Sequence, residues 1–342
     1  MDVTELLALA VRAAASDLHL AAGEVPALRL EGRLRPLELP PLTSERMAEM
    51  LGQIMSEAQQ KDFETHLDID FAFAVPALAR FRVNAFQQLQ GAAAVLRVIP
   101  AQVSSLAELG LGDVFRQIAE LSGGLVLVTG PTGSGKSTTL AALVDHLNRE
   151  RALHIVTLED PIEFIHSSKR SRISQREIGR HTQGFAQALR AALRQDPDVI
   201  MLGELRDPQS IRLALTAAET GHLVLATVHT GSAAKSIDRL VDVFAAEEKQ
   251  LVRAMLAESL QAVVSQVLVE RVGGGRLAAQ EILLATPAVR NLVREGKVAQ
   301  LYSAIQTGGA QGMQTLDACL QGLVRQGLVN PESARERAPG RF

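Results

Sequence analysis

The chain has one cysteine (Cys319), one tyrosine (Tyr302) and no tryptophan in 342 residues. A single thiol excludes an intrachain disulfide and any zinc site built on a cysteine cluster. So few large aromatics argue against the base-stacking platforms of single-strand nucleic-acid binders. A basic excess is also missing, since the formal net charge is −3. Nucleic-acid binders usually show such an excess, so no nucleic-acid partner is expected. No apolar run approaches the roughly 18 residues of a membrane span. The N-terminus opens with Asp2 and Glu5 and lacks the basic and apolar regions of a signal peptide, so a cytoplasmic protein is expected.

Apolar residues make up 47% and charged residues 21%, which is ordinary for a globular protein able to bury a core. The length suggests about two or three domains. The most informative segment is Gly130-Pro131-Thr132-Gly133-Ser134-Gly135-Lys136-Ser137-Thr138. It matches G-x-x-x-x-G-K-[ST], the phosphate-binding P-loop, at every fixed position. Gly124 to Thr129 before it reads as a buried strand. After it, Leu140, Leu143, Val144 and Leu147 recur on one face of a helix. Glycines let such a loop curl so that backbone N–H groups meet phosphate oxygens, and the helix N-terminus adds positive partial charge. The pattern places Lys136 to reach the β- and γ-phosphates of ATP and the Ser137 hydroxyl to ligate Mg²⁺.

Around this centre the chain divides. Residues 1–100 read as a small α+β domain. Helices are expected over 2–15 and 43–63, a hairpin around Glu31-Gly32, and alternating strands over 68–73, 80–86 and 93–99. A linker follows over 101–112. Residues 113–280 alternate buried strands (124–129, 153–158, 198–202, 222–228, then 277–283) with helices, the α/β pattern. Residues 281–342 read as helical and amphipathic, with a charged tail after Arg335.

Three further stretches narrow the chemistry. Asp198 to Glu204 is an apolar strand ending in a carboxylate, the group a P-loop ATPase needs beside the phosphates to orient Mg²⁺ or its water. A glycine precedes Glu204 where many families have aspartate. Thr157 to Phe164 supplies Glu159, Asp160 and Glu163, any of which could act as general base toward water. His222 opens a strand and His229 ends it, and strand C-terminal ends face the ligand crevice in open α/β sheets. Arg80, Arg82 and Asn84 share one strand face, as do Asp68 and Asp70. The arginines are either cross-strand ion pairs or fingers that reach a neighbouring subunit's nucleotide.

Together these motifs resemble those of the secretion-type hexameric ATPases and, within them, the type IV pilus retraction ATPases. The resemblance runs over nearly the whole chain. It rests on Ser16-Asp-Leu-His-Leu20, Arg80-Phe-Arg-Val-Asn-Ala-Phe86, the P-loop, Glu159-Asp-Pro-Ile-Glu-Phe164, Gly203-Glu-Leu-Arg-Asp207 and Thr220-Gly-His-Leu-Val224. It implies a PAS-like α+β N-terminal domain, a RecA-like α/β ATPase core and a hexameric ring. By similarity Glu163 is the catalytic base, Glu204 holds the Mg²⁺-bound water, and His222 and His229 couple the site to conformational change. Arg80 and Arg82 are the matching candidates for contact with nucleotide in trans. Retraction-type relatives carry a helix that here reads Ala288-Val-Arg-Asn-Leu-Val-Arg-Glu295, with valine for isoleucine at two places.

The expected function is an ATP-driven motor for pilus retraction at the cytoplasmic face of the inner membrane, hinged near Pro100 to Gly112. Its expected partners are further copies of itself, a pilus platform protein of the inner membrane and an accessory retraction ATPase. Two alternatives stand beside it: a secretion or DNA-transfer ATPase, and an accessory subunit acting beside a principal motor.

Overall fold

The computed structural model of this chain describes residues 2–30, 32–99 and 102–338. Glu31 of the expected hairpin, Pro100 and Ala101 at the start of the expected linker, and the end of the charged tail lie outside the described residues. The chain divides into two compact units, Met1–Gln102 with Pro161–Ile165, and Val103–Asp160 with His166–Phe342.

In the first unit, helix α1 (Val3–Arg12) starts with a capping box in which Asp2 and Glu5 satisfy each other's backbone N–H. Strands β1 (Asp17–Ala21), β2 (Ala27–Leu30) and β3 (Arg33–Pro36) precede helices α2 (Ser44–Ile54) and α3 (Glu57–His66). Strands β4 (Asp68–Val75), β5 (Ala79–Gln88) and β6 (Gly91–Ile99) complete an antiparallel sheet of order β3-β2-β1-β6-β5-β4. Alternation decides what each face carries. In β5, Ala79, Phe81, Val83 and Ala85 are buried beside Leu6, Leu7, Met47 and Met50. Arg80, Arg82 and Asn84 therefore point to the other face. The single helix expected over 43–63 is two helices. It breaks at Met55, and Ser56 with Gln59 forms a new capping box that restarts it.

The second unit begins with α4 (Asp113–Glu120), β7 (Gly124–Thr129), α5 (Lys136–Glu150), β8 (His154–Glu159) and β9 (Arg172–Glu177). It continues with α6 (Phe185–Ala192), β10 (Val199–Leu202), α7 (Pro208–Glu219), β11 (Leu223–Val228), α8 (Ala233–Asp242) and α9 (Lys249–Ser259). Then come β12 (Leu260–Glu270), β13 (Arg276–Leu284), α10 (Pro287–Arg294), α11 (Leu301–Thr307), α12 (Leu316–Arg325) and α13 (Pro331–Arg337). The sheet order is β13-β12-β7-β11-β10-β8-β9. All neighbours are parallel except β13, which pairs antiparallel with β12. The fold is thus α/β on a mostly parallel sheet. Strands β7 and β11 are buried at every position, as strands covered on both faces must be.

Sequence periodicity does not reveal β9 or β12. β9 is a polar edge strand, Arg-Ile-Ser-Gln-Arg-Glu, without a distinguishing pattern. β12 follows α9 with no glycine or proline between them, so its apolar residues read as more helix. The expected linker also changes character. Leu106 and Leu111 are buried in one cluster with Phe115, Val126 and Val128, so from Val103 onward this stretch is core of the second unit.

One buried charge has a measurable consequence. Glu281 of β13 is 5% exposed, and its Oε1 accepts the Ala233 N–H at the start of α8 at 2.8 Å. Burial raises its carboxyl pKa, the Ala233 N–H lowers it in part, and Asp317 raises it again. A carboxyl raised in the folded state contributes stability at low pH that is lost as pH rises through its folded pKa. We expect Glu281→Gln to keep the bond to Ala233 while removing this penalty. Its thermal midpoint relative to wild type should rise between about pH 5 and about pH 8. A difference that stays flat across that range would show that the buried carboxyl is not the titrating group.

Candidate active site

The parallel sheet delivers the P-loop to the C-terminal end of β7. Gly130, Gly133 and Gly135 all have positive φ, at 146°, 78° and 86°. At Gly130 a Cβ would lie 2.3 Å from the Gln266 carbonyl oxygen and 2.4 Å from Ser134 Oγ, so only glycine fits. Lys136 opens α5 and is buried. Its Nζ donates to the carbonyls of Gly130 and Pro131, each at 2.9 Å. Pro131, Thr132 and Ser137 are exposed, and Thr138 is half-buried. Among the described residues, the buried hydroxyls of Ser134 and Thr129 have no hydrogen-bond partner, which is uncommon for buried polar groups.

The strand-end acid stands beside the loop. Glu204 follows β10, and its Oε2 lies 2.7 Å from Arg206 Nη2 and 3.3 Å from His229 Nε2. His229 follows β11, the strand between β10 and β7, and its Nδ1 lies 3.4 Å from Lys136 Nζ. One ring therefore bridges the P-loop lysine and the strand-end carboxylate. The bonding assigns the Nε2–H tautomer, which donates to Glu204 and accepts from Lys136 through Nδ1. The hydrogen bond with Glu204 raises the Arg206 pKa, against a smaller burial effect, and the charge of Asp160 adds to the rise. A Cβ on Gly203 would sit 3.4 Å from Glu159 Cα and from the Leu158 carbonyl oxygen, an ordinary van der Waals contact, so packing against β8 does not by itself require the glycine before Glu204.

Not every candidate joins this group. His222 precedes β11, at the opposite end of the strand from His229. Seven steps of about 3.3 Å separate the two by about 23 Å. His222 Nδ1 lies 3.0 Å from the Ala217 carbonyl and 3.2 Å from Thr220 Oγ1, which closes the C-terminus of α7. Glu159 is buried, and its Oε1 accepts from Thr157 Oγ1 at 2.6 Å and Gln175 Nε2 at 3.1 Å. It braces β8 against β9, whereas Asp160 is exposed. Glu163 belongs to the first unit. There its Oε1 is 3.3 Å from Arg82 Nη1, while the same guanidinium pairs with Asp70 at 3.2 Å. Arg80 Nε donates to the Ile162 carbonyl at 3.2 Å. Both arginines thus hold the 161–165 segment within their own chain.

Two residues of the site were given no role by the sequence. Arg206 lies within the Gly203-Glu-Leu-Arg-Asp207 motif, but no sequence pattern assigned it a task of its own. Gln266 lies on β12, itself hidden in the sequence. Its Nε2 donates to the Ser134 carbonyl at 2.7 Å and its Oε1 accepts from Thr139 Oγ1 at 3.0 Å.

A P-loop between a buried parallel strand and a helix, with a strand-end acid and a bridging histidine, defines the class of P-loop nucleoside triphosphatases. The family described as "Type II/IV secretion system protein" matches residues 1–274. The chain is 60% identical to the "Type IV pilus retractation ATPase PilT" of Pseudomonas aeruginosa, over 99% of this chain and 98% of that one. It is 56% identical to the "Twitching motility protein" of Neisseria gonorrhoeae, over 92% of this chain and 84% of that one. A crystal structure of "the Pilus Retraction Motor PilT and Bound ADP" superposes with a TM-score of 0.89 at 44% identity, covering 99% of this chain and 98% of that one. This chain belongs to the type II/IV secretion system protein family and is an ATP hydrolase of its pilus-retraction group.

Gly130 provides a direct check on the loop. We expect Gly130→Ala to force the P-loop away from β12 and to weaken ADP binding by about tenfold or more, equivalent to at least about 1.4 kcal/mol. Titration with ADP measures it, and binding at wild-type strength would contradict the tight fit against the Gln266 carbonyl.

Proposed function

We propose that this chain is the ATP-driven motor that powers type IV pilus retraction, working as a hexameric ring at the cytoplasmic base of the pilus. The observation that carries the catalytic part is the line Lys136–His229–Glu204–Arg206 beside the P-loop. The pilus part rests on likeness over the whole chain to a retraction ATPase. Among the described residues no helix is long and apolar enough to cross a membrane, so a ring would reach the inner membrane through a platform protein.

The residues support the following course. ATP binds with its phosphates against the backbone N–H groups of 130–138. Lys136 exchanges two carbonyls of its own loop for β- and γ-phosphate oxygens, so the ammonium never lacks acceptors. The Ser137 hydroxyl and the Glu204 carboxylate are both hard oxygen donors, the type Mg²⁺ prefers, and both contacts made by Glu204 use Oε2 alone. When bound, Mg²⁺ would neutralise phosphate charge. Water then attacks the γ-phosphorus as Glu163 takes its proton, and the bond from that phosphorus to the β–γ bridging oxygen breaks, so that ADP leaves. His229, touching both Lys136 and Glu204, registers loss of the γ-phosphate and passes it to α8 through the 229–232 turn. His222 acts at a distance, by holding α7 to the start of β11. Arg82 orients Glu163, and together with Arg80 it is the candidate for contact with a neighbouring copy's nucleotide.

Helix α10 is the proposed coupling element to the pilus machinery, and its two arginines do different work. Arg290 Nη1 donates to the carbonyls of Ala257 and Glu258, both at 2.7 Å, and Nη2 donates to Gln261 Oε1 at 3.1 Å. It caps the C-terminus of α9. Arg294 pairs only at the surface, with Glu258 at 2.5 Å, where such a pair contributes about 0–1 kcal/mol.

Lys136→Ala and Glu204→Gln should each abolish ATP hydrolysis by the purified protein, and wild-type turnover in either would overturn the site. Arg294→Ala should keep ATPase activity and lose twitching, whereas Arg290→Ala should first lower the thermal midpoint. A deletion strain should carry excess surface pili. Normal piliation with normal twitching would favour an accessory role, and salt-sensitive DNA binding would favour a transfer ATPase.

A further inference from the structure

We infer that Gln266 is a positioning residue for nucleotide binding, because its side-chain amide sets the curvature of the P-loop from the neighbouring strand. The inference rests on the reading of 130–138 as the nucleotide site.

Strand β12 pairs in parallel with β7, and the last pair is Ser265 with Thr129. At the next residue β7 ends and becomes the loop, while β12 continues to Glu270. Gln266 is therefore the first residue of the sheet to face loop rather than strand. It is 1% exposed. Burying an amide there is unfavourable unless its polar atoms are bonded. Among the described residues, both are bonded to parts of the phosphate site. The amide N–H₂ holds the Ser134 carbonyl in the middle of the loop, and the amide oxygen receives the Thr139 hydroxyl from the first turn of α5. Because a carbonyl cannot donate, Ser134 fixes which end of the amide is nitrogen, and Thr139 fills the other end. The backbone of Gln266 adds a third restraint, since its carbonyl closes the space beside Gly130. A Cβ on Gly135 would stand 3.2 Å from Gln266 Nε2.

This geometry has a directional consequence. A loop that binds phosphate must present N–H groups inward and turn carbonyls away, because carbonyl oxygens repel the anion. Gln266 ties the Ser134 carbonyl outward, toward β12. The adjoining N–H groups of Gly135 and Lys136 are thereby free to face the phosphates. An apolar side chain of the same size would fill the space without choosing this orientation. The effect should therefore appear in nucleotide affinity rather than in fold stability alone.

The test uses the full-length purified protein with ADP and ATP. Gln266→Glu keeps the shape but replaces the donor facing Ser134 with an acceptor. We expect ADP binding to weaken by about tenfold or more, and KM for ATP to rise in step while kcat changes less. Thr139→Val, which removes the donor to the amide oxygen, should act in the same direction. Thr139→Ser, which keeps the hydroxyl, should restore binding to within about twofold of wild type. If Gln266→Glu lowers the thermal midpoint but binds ADP as wild type does, Gln266 is only a packing residue and the proposal fails. Should Gln266→Glu not fold, the contrast of Thr139→Val with Thr139→Ser decides, and equal binding by the two overturns it. Lys136→Ala is the control. Wild-type ADP binding in that variant would show that 130–138 is not the nucleotide site, a failure distinct from that of Gln266.

Discussion

The parallel pairing of β7 between β11 and β12 is the constraint from which the active site follows. It fixes where the P-loop begins, because β7 ends at Thr129 while β12 continues beside the loop. It also leaves no space at Gly130, whose backbone is pressed between the Gln266 carbonyl and the Ser134 hydroxyl. A loop held this closely is organised before any ligand arrives. Binding then need not offset the cost of ordering it, which for backbone is about 1–2 kcal/mol per residue. The same sheet order puts β11 next to β7 and β10 next to β11, so the residues that end those strands, His229 and Glu204, come to the loop from one side.

Electrostatics divide the charged groups into two sets. In the second unit the Glu204 carboxylate is shared between Arg206 and His229, and His229 in turn accepts from Lys136. A phosphate entering beside Lys136 would disturb both bonds of the His229 ring, the one to Lys136 and the one to Glu204, since both depend on the orientation of one imidazole. In the first unit Arg82 is shared between Asp70 and Glu163. The acid proposed as base is therefore held by the N-terminal unit, although it lies in sequence between β8 and β9 of the other one. Chain order and spatial membership disagree over the 161–165 segment.

Much of the fold could be read from the sequence where one signal sufficed. The alternation in 80–86 placed Phe81 and Val83 inside and Arg80 and Arg82 outside. The buried runs 124–129 and 222–228 marked central parallel strands. The P-loop was legible because its constraint is local: three glycines, a lysine and a hydroxyl within nine residues. Strand β12 was not, since no breaker separates Ser259 from Leu260 and an apolar run after a helix reads as more helix. The distinct tasks of Arg290 and Arg294 were equally hidden. One helical turn apart, they look equivalent until the end of α9 is placed beside one of them.

The sequence by itself determined the phosphate-binding loop, the acid at the end of β10, the exclusion of an intrachain disulfide and of a cysteine-cluster zinc site, and the membership of a family of ATPases. Each rests on residues close together in the chain, where backbone geometry alone relates them. The tertiary structure decided which of two similar residues matters and to what. It set His229 between Lys136 and Glu204 and left His222 at the far end of the same strand. It gave Glu163 rather than Glu159 to the arginines, and it brought Gln266 to the P-loop from more than a hundred residues away. Those assignments depend on strand order and register, which arise from burying whole faces of the sheet rather than from any short pattern.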